Sequence, residues 1–188
     1  LHLCDYNLET IDTKSTTHDL LLEVCYAAKY EGDLIKTHYT PYEAQYPGSG
    51  STTCTALARS FADIGDIVRG RDLFLGNTQE SKQREQLDKN LKDIFGKIHK
   101  EVTSSGSNGQ ALKDRYQNDT ENYSKLREDW WTANRDQVWK AITCSDELAN
   151  YKYFRATCGS GKTATQGKCR CNGDQVPTYF DYVPQYLR

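Results

Sequence analysis

The sequence contains no methionine, no C-x-x-C cysteine pair and no long apolar run. Because translation starts at methionine, a chain of 188 residues without one is expected to be a piece of a longer protein. Its N-terminus also lacks the basic and apolar regions of a signal peptide. No apolar stretch approaches the roughly 18 residues that span a bilayer. Targeting and membrane anchoring are therefore expected to depend on missing parts of the parent protein.

Histidine is scarce, whereas cysteine is frequent. The four histidines are scattered along the chain, and among the seven cysteines Cys169 and Cys171 form only a C-x-C. Zinc sites use Cys and His ligands at short, regular spacings, so the sequence argues against a metal and favours disulfides formed in an oxidising compartment. Since seven is an odd number, at least one thiol is free or pairs with a cysteine outside this sequence.

A large excess of charge of either sign is missing too, because the net charge is only −2. General nucleic-acid binders are usually basic, so the composition argues against nucleic acid as a partner. The composition does not exclude a local basic patch, since net charge does not describe how charges are distributed.

Catalytic motifs are also incomplete. The string GSGKT (Gly159–Thr163) resembles the end of a phosphate-binding loop, but the required upstream glycine is replaced by Ala156 and no buried strand precedes it. No G-x-S-x-G elbow occurs, and no nucleophile, base and oxyanion donors are brought together by the pattern. The sequence therefore predicts a protein that is not an enzyme and has no cofactor.

Helical periodicity is the main signal that is present. Apolar residues recur at spacings of four, three and four, at Leu57, Phe61, Ile64 and Val68, with Gly70 placed to end the helix. Similar stripes predict helices from His18 to near Gly32, from Asn77–Ser81 to Ser104, and from about Glu121 to Cys144. Residues 39–53 and 158–175 are predicted loops, and Pro177–Arg188 begins a further helix-like segment. The predicted fold is an all-α, disulfide-stapled helical bundle with long irregular loops.

One basic row lies on the long third helix, opposite its apolar stripe. Its members are Lys82, Lys89, Lys92 and Lys100. A row of this kind can bind a sulfated glycan, because charge density attracts polyanions. The alternative is an ordinary solvated helix face whose lysines form i,i+4 pairs with nearby acids such as Glu85, Asp88 and Asp93.

Several longer motifs carry a family resemblance over essentially the whole chain. They are LHLCDYNLETI (Leu1–Ile11), LLLEVCYAAKYEGDLI (Leu20–Ile35), ARSFADIGDIVRGRDLF (Ala58–Phe74), REDWWTANRDQVWKAITC (Arg127–Cys144) and VPTYFDYVPQYLR (Val176–Arg188). In this order the motifs resemble the alpha class of Duffy-binding-like domains, which belong to the erythrocyte membrane protein 1 family of malaria parasites.

The resemblance implies a domain organisation and a set of disulfides. Residues 1–16 would end the first subdomain of the Duffy-binding-like fold, residues 17–175 would form its helical-bundle second subdomain, and residues 176–188 would begin a truncated third subdomain. The implied pairs are Cys54 with Cys158 and Cys25 with Cys144. Cys4 would pair upstream of this sequence, and the partners of Cys169 and Cys171 stay open.

The resemblance also implies a function. Related domains are displayed on the outer face of the infected erythrocyte membrane, within a larger membrane-anchored protein. They act in rosetting, cytoadherence and immune evasion by binding erythrocyte receptors, heparan-sulfate-like or blood-group glycans, and they are targets of host antibodies. The expected function is host-cell adhesion. The alternative is a structural spacer and antibody target that positions a neighbouring receptor-binding domain.

Overall fold

Five α-helices account for most of the chain that the computed structural model describes. They are α1 (Thr17–Gln45), α2 (Thr53–Arg69), α3 (Thr78–Ser104), α4 (Gly109–Tyr116) and α5 (Ser124–Ile142). Two short strands, β1 (Thr157–Cys158) and β2 (Thr163–Ala164), pair antiparallel, and 3₁₀ turns span Phe180–Tyr182 and Gln185–Leu187. The described residues are 17–45, 52–72, 78–104, 109–145, 148, 157–158, 163–164, 169–171 and 176–188. The predicted all-α, disulfide-stapled bundle is confirmed.

The core forms where α1, α2 and α5 pack against one another, while α3 packs against α4 and α5. The predicted stripe of α2 is buried, with Phe61 fully enclosed. Its ring lies 5.1 Å from that of Trp131 and 5.2 Å from that of Trp139. Each such aromatic pair adds about 0.5–1.5 kcal/mol beyond the area it buries. No helix in the described part of the chain is both long and apolar enough for a membrane span.

Helix α2 has well-formed ends that its sequence predicts. Thr52 caps the first turn by accepting a hydrogen bond from the backbone N–H of Thr55 at 3.2 Å. Gly70 adopts φ 68°, a left-handed conformation that glycine tolerates without strain. The predicted termination at Gly70 is therefore confirmed.

Helix α1 is longer than its sequence predicts. The prediction ended it near Gly32 and placed a loop from residue 39, whereas the helix continues through Pro41 to Gln45. Gly32 does not end the helix because it is buried against α5, where its missing side chain lets the backbone of Ile142 approach closely. Packing of α1 on α5 thus outweighs the low helix propensity of glycine.

The short helix α4 and the start of α5 also differ from the prediction. No periodic pattern predicts α4, and α5 begins at Ser124 rather than near Glu121. Asp119 determines this start, because its carboxylate accepts hydrogen bonds from the backbone N–H groups of Lys125 (3.2 Å) and Leu126 (2.9 Å). These are free N-terminal donors of α5 that need a partner.

Helix α4 is joined to α5 through one carboxylate. Asp129 accepts hydrogen bonds from Arg115 Nε (2.7 Å), Arg115 Nη2 (2.6 Å) and the Tyr116 hydroxyl (2.7 Å). The bonds from Arg115 hold the pKa of Asp129 below its ordinary value of 3.8, against the opposing effect of partial burial. The carboxylate is therefore stabilised in the folded chain relative to the unfolded one.

We expect this depressed pKa to give the stability of the chain an acid-sensitive component. The contribution is fully present above pH 3.8 and is lost as the pH falls through the lower pKa of the folded state. Urea midpoints of the wild type and of Asp129→Asn should differ at pH 7 and converge toward pH 3. A difference that is unchanged over this range would show that Asp129 is not stabilised as a carboxylate.

The C-terminal segment is attached to the bundle through the carboxylate of Asp181, which is 2% exposed. Asp181 accepts hydrogen bonds from Trp131 Nε1 (2.9 Å), Arg135 Nε (2.8 Å) and Arg135 Nη2 (2.8 Å). Burial alone would lower the pKa of the Arg135 guanidinium, yet its bonds to Asp181 raise that pKa above its ordinary value. We call Trp131, Arg135 and Asp181 the C-terminal clamp.

A second set of ion pairs extends this attachment to α2. Arg188 Nη1 lies 2.8 Å from Asp63, and Arg188 Nη2 pairs with Asp66. Arg69 pairs with Asp66 at 2.9 Å and also donates to the backbone carbonyl of Asp181. Burial raises the pKa of Asp66 although both arginines oppose this shift. The C-terminal motif Val176–Arg188 is thus part of the scaffold, because it is held to α2 by these contacts.

One disulfide prediction is wrong. Cys54 bonds to Cys169, with 5.6 Å between the two Cα atoms, and not to Cys158. The reason is the position of residues 169–170 beside the end of α5. Trp139 Nε1 donates to the carbonyl of Cys169 at 3.1 Å, and Arg170 Nη2 donates to the carbonyl of Thr143 at 2.6 Å. A bridge across 115 residues stabilises by about 5 kcal/mol on the chain-entropy model.

The second predicted pair, Cys25 with Cys144, is also wrong, because both thiols are free. Gly32, not Cys25, lies beside the end of α5, and seven residues of helix place Cys25 about 10 Å farther along α1. Desolvation raises the pKa of the half-buried Cys25 thiol. Cys171 is disulfide-bonded. Cys4 and the side chain of Cys158 lie outside the described residues, as do residues 1–16 of the predicted first subdomain.

Candidate functional site

The outer face of α3 carries the predicted lysine row. Lys82, Lys89 and Lys100 are exposed, and Lys92 is partly exposed. The opposite face is buried in the core and holds Leu87, Leu91, Ile94 and Ile98, each at most 2% exposed. The amphipathic pattern thus places the four lysines on one outward surface, which we call the α3 basic face. Their role in binding stays a prediction.

The lysines of the α3 basic face form no close ion pairs with neighbouring acids. In the described part of the chain, the side-chain ammonium groups of Lys82, Lys89 and Lys100 form no ion pair or hydrogen bond. Lys92 donates only to the side-chain oxygen of Asn122, a neutral acceptor, at 3.2 Å. Of the acids that the alternative interpretation invokes, Asp88 pairs with the buried Arg127 at 2.9 Å. The expected i,i+4 lysine pairs are therefore not formed.

A groove opens at the C-terminal half of this face, with a volume of about 380 Å³. Its lining residues are Lys92, Asp93, Gly96, Lys97, Lys100 and Tyr123. Two of the predicted lysines, Lys92 and Lys100, are brought together here, whereas Lys82 and Lys89 lie farther along the helix.

Sequence reasoning missed three residues of this groove, Gly96, Lys97 and Tyr123. Lys97 lies at one edge of the same polar face, so a helical projection that included it would have found it. Tyr123 belongs to the turn before α5 and has no periodic relation to α3. Only the tertiary structure brings its ring to the groove.

Other chemistry is not supported by the described residues. Within them no group of three or more His, Cys, Asp and Glu side chains is placed to hold a metal ion. The largest cluster of acids and arginines joins α2, α5 and the C-terminal segment and is internally paired. Among the described residues, the α3 basic face is the predicted site that the structure places on one surface.

Comparisons with known proteins agree with the resemblance seen in the motifs. The Duffy binding domain family matches residues 1–188. Among solved structures, the NTS-DBL1(alpha-1) domain of the Plasmodium falciparum membrane protein 1 (PfEMP1) of the varO strain is 46% identical, with a TM-score of 0.74. This match covers 99% of the present chain and 40% of that one. No curated protein matches the chain.

Two further structures show the same helical arrangement. The NTS-DBL1-alpha and CIDR-gamma double domain of the varO strain is 47% identical, with a TM-score of 0.75, and the match covers 99% of this chain and 25% of that one. The ICAM-1-binding IT4var13 DBLbeta domain of PfEMP1 is 32% identical, with a TM-score of 0.68 over 100% of this chain and 39% of that one. The chain thus spans less than half of each matched structure.

Proposed function

Because the chain belongs to the Duffy binding domain family, we propose that it is part of a host-cell adhesion module of a variant antigen on infected erythrocytes. In this proposal the module binds an erythrocyte receptor or a sulfated or blood-group glycan, and so takes part in rosetting and cytoadherence. It has no enzymatic role. The parent protein is anchored in the membrane by parts outside this sequence, and the module is displayed at the extracellular face, where host antibodies reach it.

The observation that carries the proposal is the α3 basic face, whose lysines form no close ion pairs. Three exposed lysines without ion pairs, together with Lys92, present a row of positive charge on a chain whose net charge is negative. Ammonium groups that form no direct ion pair stay available to a polyanion, and their positive charge attracts it and raises the rate of association. Binding of ICAM-1 by the IT4var13 DBLbeta domain supports a role in recognition, although the partner of the present chain is proposed from its own surface.

The domain boundaries belong to the same proposal. Residues 1–16 end a first subdomain, residues 17–175 form the helical bundle and residues 176–188 begin a third subdomain. The described helices α1 to α5 all fall within the second of these ranges. The α3 basic face therefore belongs to the helical bundle.

We expect charge reversal of the α3 basic face to weaken binding to red cells strongly. The test variant combines Lys82→Glu, Lys89→Glu, Lys92→Glu and Lys100→Glu, and apparent affinity, measured by flow cytometry, should fall on the order of tenfold or more because the attractive field is reversed. A control with the same change in net charge reverses four exposed cations outside α3: Lys29, Arg59, Lys113 and Lys125.

The control variant should keep wild-type binding. Circular dichroism and urea midpoints verify that both variants are folded. Equal losses in the two variants would show that net charge alone, and not the α3 basic face, drives association. Failure of the folded wild type and of a full-length domain to bind red cells would overturn the adhesion proposal and leave the spacer role.

A further inference from the structure

The groove at the C-terminal half of α3 is built by two unusual features of the chain. At Gly96 a side chain would crowd Tyr123, since an added Cβ would lie 3.1 Å from the tyrosine hydroxyl and 3.4 Å from ring carbons. Because Gly96 has no side chain, its backbone forms the floor of the groove, and the Tyr123 ring forms one wall. The volume of about 380 Å³ lies within the range of about 300–1,000 Å³ for ligand sites.

Tyr123 is held in an unfavourable backbone conformation. Its φ is 52°, and among the described residues no other non-glycine residue has a positive φ. Such a conformation costs about 1–3 kcal/mol and persists only where surrounding contacts impose it. The His99 ring lies 5.4 Å from the Tyr123 ring and supports it from α3. The residue with the strained backbone is thus a tyrosine that lines the same groove as Lys92, Lys97 and Lys100.

Positive charge in the groove exceeds the negative charge. The ammonium groups of Lys97 and Lys100 form no ion pair or hydrogen bond within the described ranges, and that of Lys92 meets only the neutral oxygen of Asn122. Asp93 is the single acid among the lining residues, so three lysines leave an excess of two positive charges. An anion in the groove would meet several ammonium groups at once, which raises its affinity over that for a single lysine.

We infer that this groove binds one sulfated sugar ring, which lies against Tyr123 and places its sulfates near Lys97 and Lys100. The amphipathic tyrosine ring offers an apolar face to the C–H groups of a pyranose and a hydroxyl to its oxygens. A bare inorganic anion would use the lysines but not the ring. This inference rests on the proposed function and identifies the position on the α3 basic face that recognises the glycan unit.

The experiment titrates the full 188-residue chain with a chemically defined sulfated disaccharide, with its unsulfated counterpart and with inorganic sulfate. Calorimetry gives the affinities, and amide chemical shifts locate the contacts. The sulfated disaccharide should bind, with shifts at Gly96, Lys97 and Tyr123. Lys97→Gln and Tyr123→Ala should each weaken it about tenfold, the loss of one good contact. Lys113→Gln, on the exposed surface of α4, is the matched control and should bind as the wild type does.

Each alternative outcome is distinct. Equal affinity for inorganic sulfate and the disaccharide, or full affinity in a folded Tyr123→Ala variant, would overturn the stacked sugar. If Tyr123→Ala does not fold, the chemical shifts of the wild type decide, and shifts confined to other surfaces contradict the groove. If the disaccharide does not bind while red cells still do, the groove assignment fails and the adhesion proposal stands. If neither binds, both fail.

Discussion

Gly32→Ala is expected to lower the free energy of unfolding by about 3 kcal/mol, the upper end of the usual cost of overpacking. The Cβ of alanine would overlap the backbone carbonyl oxygen and carbon of Ile142. A backbone atom cannot rotate away, so α1 and α5 must move apart. Their interface is the most extensive one between the described helices. This cost exceeds the roughly 1 kcal/mol that alanine gains over glycine in a helix.

The matched control is Gly96→Ala, which makes the same change in the middle of another long helix. Its nearest neighbours are side-chain atoms of Tyr123 at 3.1 and 3.4 Å, which can move by a few tenths of an ångström. Gly96→Ala should therefore be neutral within about 1 kcal/mol. Urea denaturation of the two variants measures the difference. Equal stabilities would mean that α1 does not contact the end of α5 at Gly32.

Asp181→Asn is expected to cost about 3–5 kcal/mol, because it breaks a buried ion pair and leaves one charge without a partner. An asparagine amide would also present N–H donors to the donors of Arg135 and Trp131 that the C-terminal clamp now satisfies. The arginine is 11% and the carboxylate 0% exposed, so solvent cannot replace the lost contact. Residues 176–188 should detach from α2 and α5.

Asp136→Asn is the control for this prediction, because Asp136 is exposed and directly follows Arg135 in the sequence. A surface substitution of this kind changes stability by no more than about 0.5 kcal/mol. Urea midpoints compare the two variants, and the loss of Trp131 burial should shift the fluorescence of Asp181→Asn in the absence of urea. A midpoint for Asp181→Asn equal to that of Asp136→Asn would contradict the clamp.

Local periodicity predicts the helices well where one face is uniformly apolar. The stripes of α2 and α3 and the termination at Gly70 follow from residue spacing alone, because each buries its apolar face in one core. Helix α1 shows the limit of this reasoning. Gly32 and Pro41 predict a break in isolation, but the close packing of Gly32 on Ile142 keeps the helix intact. Such a contact depends on a residue 110 positions away.

The disulfide pairing could not be predicted from the sequence, because it also depends on contacts between residues far apart in the chain. Pairing depends on the positions of two Cα atoms, and the Trp139 and Arg170 hydrogen bonds place Cys169 beside Cys54. The α3 basic face could be predicted because its lysines share one helix. The groove could not, since Tyr123 reaches it only through a left-handed backbone turn between α4 and α5.

The most direct test of the account is the salt dependence of binding to immobilised heparin. The slope of log affinity against log salt concentration reports how many cations of the protein engage the polyanion. The wild type and the control variant at Lys29, Arg59, Lys113 and Lys125 should show the same steep slope, and the variant at Lys82, Lys89, Lys92 and Lys100 a shallow one. Indistinguishable slopes for the two charge-reversal variants would contradict the assignment of binding to the α3 basic face.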